Sequence, residues 1–189
     1  MDEQPVQLLK ENRVPIPATR EHFHRVDYEY ERNGTASIFM FTEPLSGWRM
    51  VHVREQCTKV DWAVEMEELL RTRYANARKV ILICDNLNTH TMGAFDEAFP
   101  ADKARELVRR LDFRFTPKHG SWLNISENEL SSMTRQCLKD RRIGNIDELR
   151  TETHAWSTAS NDKQRGVDWQ FTIGDARRKL KSLYPQIKD

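Results

Sequence analysis

No apolar run in this chain approaches the roughly 20 residues needed to span a bilayer, and its start lacks the basic-then-apolar order of a signal peptide. A cytoplasmic protein with no membrane partner is expected. Cysteine is scarce. Cys57, Cys84 and Cys137 are isolated, odd in number and never spaced as a CxxC pair, which disfavours a disulfide framework and a zinc site. They are read as reduced and structural. Net charge is also nearly absent, at +1, but the balance is uneven along the chain. Residues 1–101 carry 12 Lys/Arg against 16 Asp/Glu, and residues 102–189 carry 18 against 13. A basic second half beside acidic groups fits a polyanionic partner such as nucleic acid. Solvated basic faces of amphipathic helices account for so modest a bias equally well.

At 189 residues the chain is long enough for one buried core and short for two, so residues 1–189 are read as a single domain. Residues 5–9 form a short extended stretch. Residues 35–42 and 48–53 are β-rich runs joined by a Pro- and Gly-containing turn, and read as an antiparallel pair. Asn33-Gly34 is a tight-turn signal, with residues 26–30 as a preceding extended arm. From 59 to 74, Val60, Ala63, Val64, Met66, Leu69 and Leu70 recur at helical spacing opposite Glu65, Glu67, Glu68, Arg71 and Arg73. This helix leads into an apolar strand, Val80-Ile81-Leu82-Ile83-Cys84, that ends at Asp85. An amphipathic segment at 101–111 precedes a short strand at 113–116, which Pro117 stops; helices follow at 126–140, 146–157 and 173–183. That order argues an α/β fold with a mixed sheet flanked by helices.

Asp85 stands where open α/β sheets place their chemistry, at the carboxyl end of a buried strand. Glu127 follows the turn Pro117-Lys118-His119-Gly120-Ser121-Trp122-Leu123-Asn124 in the first turns of a helix, and Asp2 opens the chain. Three carboxylates drawn from distant positions suit magnesium, which prefers hard oxygen ligands and takes few protein groups, and hence phosphoryl transfer. Singly, each has a plainer reading. Asp85 can be a turn or cap residue, Glu127 a favourable charge at a helix start, and Asp2 a loose terminal residue.

Met1-Asp2-Glu3-Gln4-Pro5, Cys84-Asp85-Asn86-Leu87-Asn88-Thr89-His90 and the block from Pro117 to Glu127 together resemble the three catalytic blocks of the DDE transposases, in the bacterial insertion-sequence branch related to mariner elements. Segments 25–35, 169–172, 175–180 and Tyr184-Pro185 extend the resemblance over the whole chain. It implies an RNase H-like five-stranded mixed sheet. It implies that Asp2, Asp85 and Glu127 bind magnesium or manganese, two ions in all, for DNA strand cleavage and strand transfer. The third carboxylate lies three residues after the Asn of a Leu-Asn pair, which selects Glu127 over Glu129. Asn86, Asn88, His90, Lys118, His119 and Trp122 are candidates to support the triad or touch DNA. The implied partners are transposon-end and target DNA at the nucleoid, with a possible homodimer.

Two departures accompany it. Family members carry an N-terminal helix-turn-helix region that is expected to be absent here, which opens the alternative of a non-catalytic remnant that only binds DNA or a partner. The interval from Asp85 to Glu127 is somewhat longer than in mariner relatives, a surplus that fits the segment around 101–111.

Overall fold

A run of six buried residues, 36–41, lies in β2 (Tyr30–Glu43). A strand buried on both faces needs a layer on each side. Its side chains alternate accordingly. Phe39 and Phe41 join Trp62, Met66, Leu70, Leu82, Phe95 and Leu107 in one core, whereas Ala36, Ile38 and Met40 join Val51, Val53, Leu130, Met133 and Leu149 in another. Each fully buried side chain of this size contributes about 1.5–3 kcal/mol relative to its exposed state. The computed structural model describes residues 1–117, 120–179 and 181.

β2 is the central strand of an antiparallel sheet, between β1 (Asp2–Glu11) and β3 (Trp48–Arg54). β1 is longer than the expected short stretch and contains Pro5, tolerated because β2 is its only laddered neighbour among the described residues. Asn33-Gly34 is a bulge within β2, not a hairpin turn. Between Gln7↔Thr35 and Leu9↔Arg32 the register gains a residue on β2, and Gly34 absorbs it at φ +88°. The arm expected at 26–30 lies outside the ladder except for Tyr30, which begins β2.

α1 (Lys59–Arg71) starts at a Thr58–Asp61 capping box and buries Trp62, Met66, Leu69 and Leu70 at helical spacing. β4 (Val80–Cys84) pairs in parallel with β5 (Leu111–Phe115). Parallel neighbours require a crossover, and it is built by α2 (Gly93–Ala98) and α3 (Ala101–Arg110). The segment expected as a surplus is thus part of that connection. α4 (Ile125–Met133) continues into a π turn, Thr134–Leu138; α5 (Ile146–Asp162) and α6 (Ile173–Lys179) complete the described helices. Leu180 and the part of the last expected helix beyond Lys181 lie outside the described residues.

Among the described residues there are thus five strands, but as a three-stranded antiparallel and a two-stranded parallel sheet. Between β1 and β4 the Met1 ammonium donates to the Ile83 carbonyl oxygen at 2.7 Å. Beyond Met1 a cleft of about 840 Å3 separates Phe41–Glu43 of β2 from Val80–Ile83 of β4. No described helix is long and apolar enough to cross a membrane.

Candidate active site

Asp85 follows β4 directly, and its half-buried carboxylate lies beside His90. The turn after Asp85 folds His90 back into the core. There it is 1% exposed and packs against Trp62, with ring centroids 5.4 Å apart and planes tilted by 31°. His90 Nδ1 lies 3.0 Å from both the Asp85 carbonyl oxygen and Oδ1, and its hydrogen bond goes to the carbonyl. Oδ1 is left buried without a hydrogen-bond donor.

Asp2 and Glu3 are successive residues of β1 and point to opposite faces. The Asp2 carboxyl is pushed up to about 6. Burial is the main cause, the neighbouring Asp85 and Glu3 charges add to it, and the hydrogen bond from the Glu3 amide opposes it. The ladder to Met40 holds Asp2 in place, so it is not a loose terminal residue. Glu3 turns inward, and its Oε1 meets His90 Nε2 at 2.6 Å, whereas Oε2 is buried without a partner. Burial alone lowers the basicity of His90, but contacts with Cys84 and Glu3 outweigh it and raise its pKa to about 10. The ligand atoms of Glu3, Asp85 and His90 all lie within 4.8 Å of one another; Asp2, Asp85 and Glu127 do not form so tight a group.

Asn124 fixes the third carboxylate relative to the first. Its side chain caps α4 by accepting from the Ser126 amide at 3.2 Å, and its Nδ2 donates to the Met1 carbonyl at 3.0 Å. Glu127 is then the third residue of that helix, exposed and facing the cavity. Glu129 is engaged elsewhere. Arg49 grips it with two nitrogens, at 2.5 and 2.8 Å, in a site where both side chains are largely buried. This pairing removes Glu129 as a free ligand.

Asp2, Asp85 and Glu127 line one cavity of about 530 Å3, together with Glu3, Gln4, Asn124, Leu130, Ser131, Thr134 and Arg135. The Asp2, Asp85 and Glu127 carboxylates on this wall are hard oxygen donors of the kind a divalent cation takes. Of the other sequence candidates, Asn86 and Asn88 are exposed on the loop after Asp85. Trp122 is 44% exposed and packs edge-on against Phe171 at 5.2 Å. Lys118 and His119 lie outside the described residues. Sequence reasoning missed Glu3 as a partner of His90: strand alternation beside Asp2 turns it to the opposite face but names no partner.

Cys57, Cys84 and Cys137 are free, as expected. Burial, with the Glu3, Asp61 and Asp85 charges, pushes the Cys57 thiol up to about 11 and keeps it protonated. The basic second half is partly spent on internal ion pairs. Arg141 meets Glu152, Arg142 meets Glu11, and Arg178 meets Asp175. Arg135, Lys139, Arg177 and Lys179 make no ion pair among the described residues.

No curated protein and no solved structure matches the chain. The family model described as DDE superfamily endonuclease matches residues 1–150, which include every strand and all three acidic positions. This chain therefore belongs to the DDE superfamily endonucleases.

Proposed function

We propose that the protein is the catalytic domain of a DNA transposase, in which Asp2, Asp85 and Glu127 hold two magnesium or manganese ions for DNA strand cleavage and strand transfer. The observation that carries this reading is the convergence of these residues, from β1, the end of β4 and the start of α4, on one acidic cavity. In this reading the five strands correspond to an RNase H-like sheet with β1 beside β4. When bound, the metals would activate the attacking water or 3′-hydroxyl and stabilise the leaving oxygen. The protein's own share is positioning. The desolvated Asp2 carboxylate supplies an acceptor already stripped of much of its water. Arg135, on the cavity wall, and the Ser131 and Thr134 hydroxyls stand where a DNA backbone entering the cavity would be held. DNA ends and target DNA are the proposed substrates, at the nucleoid, with a homodimer as the working assembly.

The test is nicking of supercoiled plasmid with Mn2+. Asp85→Asn and Glu127→Gln keep shape but remove ligand charge, so nicking should vanish while both proteins keep their circular dichroism spectrum. Nicking by Asp85→Asn at the wild-type rate would overturn the assignment.

A further inference from the structure

We infer that Glu3 and His90 form a brace that positions the Asp85 carboxylate relative to β1, so that the two sheets present their acids to the cavity at a fixed spacing. This deepens the proposed function and rests on it. Asp2 and Asp85 belong to different sheets. β1 and β4 share no ladder among the described residues. The His90 ring ties them. Its Nε2 meets Glu3 on β1 at 2.6 Å, and its Nδ1 is 3.0 Å from the carbonyl and carboxylate oxygens of Asp85.

The ring has little freedom to act otherwise. The His90 side chain is 0% exposed and that of Glu3 is 5% exposed, so no DNA or solvent reaches the contact. Trp62 covers one ring face and is itself fully buried in α1, whose capping box and core packing fix it. Both ring nitrogens are engaged at once, which sets the ring's orientation as well as its place. A buried ion pair is weak evidence for stability, and replacing both partners with apolar groups is often neutral or better. Its use is geometric. Outer groups that orient metal ligands are worth about 10–100-fold in metal affinity or activity.

The experiment measures Mn2+ binding by calorimetry and plasmid nicking rates on four proteins: wild type, Asp85→Asn, Glu3→Gln and the double variant Glu3→Leu/His90→Phe. Glu3→Gln keeps an acceptor for Nε2–H and should lose less Mn2+ affinity than the double variant. The double variant removes the brace without leaving a lone buried charge. It should bind Mn2+ about 10–100-fold more weakly and lose kcat with KM for plasmid unchanged, while its melting temperature without metal holds. Wild-type Mn2+ affinity in the double variant would overturn the brace. Loss in Glu3→Gln equal to that in Asp85→Asn would also overturn it, because Glu3 would then be a ligand. Should the double variant not fold, His90→Gln reaches only one of the two acceptors, and unchanged Mn2+ affinity in it overturns the inference. Equal Mn2+ binding by wild type and Asp85→Asn is a different failure, since it removes the metal site itself.

Discussion

Asp2→Asn tests whether the first carboxylate is held in a costly charged state. Burial, with help from Asp85 and Glu3, raises the Asp2 pKa from 3.8 to about 6. Between those values the folded protein binds more protons at Asp2 than the unfolded chain does, so stability falls as pH rises through about 4 to 6. At about 1.4 kcal/mol per pKa unit, a shift of about two units amounts to about 3 kcal/mol at most. Asp2 is only partly buried, and solvent screening reduces this to about 1–1.5 kcal/mol. Asparagine carries no charge and keeps the acceptor for the Glu3 amide. The variant should therefore melt about 3–5 °C above wild type at pH 8 in EDTA, with the gap closing below pH 4. Excess Mn2+ should reverse the order, because only the carboxylate gains from the cation. Parallel melting curves for the two proteins from pH 4 to 8 in EDTA would refute the reasoning.

Three further outcomes can be checked. Gly47 has φ +70°, and an added Cβ would meet backbone atoms of Gln164, Arg165 and Gly166 at 2.7–2.8 Å; Gly47→Ala should cost about 2 kcal/mol or more in urea unfolding, whereas Gly34→Ala, which has open space, should cost only the φ strain. Arg49→Met strands the buried Glu129 carboxylate and should cost about 3–5 kcal/mol, with Arg49→Met/Glu129→Leu recovering most of it; equal melting temperatures for the single and double variants would contradict this. Duplex DNA should bind with a Kd of about 10⁻⁴–10⁻⁶ M and steep salt dependence, and Arg135→Ala should reduce the log–log salt slope by about one, measured by fluorescence anisotropy.

Those parts of the fold whose residues repeat a pattern were legible in the sequence. The apolar spacing of α1, the run Val80–Cys84 and the hairpin of β2 and β3 all carry periodic signals, and the structure places elements there. α2 escaped because it is six residues long and Met92 before it makes no side-chain cap bond, which leaves no start signal. Asn33-Gly34 misled because a positive φ at Gly serves a bulge as well as a turn, and only the β1 partner decides between them. At the site, Asp85 could be read from its strand and Glu127 from its helix start. The Glu3–His90 contact could not, since it joins residues 87 positions apart through a burial that no local pattern records. Neither could the engagement of Glu129 by Arg49, 80 positions away.

Asn124 makes the spacing of two acids a matter of one amide. The same side chain caps α4 and holds the Met1 carbonyl, so Glu127 and Asp2 cannot be drawn apart without losing one of those bonds. Its NH2 protons, in a site only 3% exposed, are a built-in reporter of that spacing: they should exchange slowly with water while the two carboxylates keep their distance and quickly once they part.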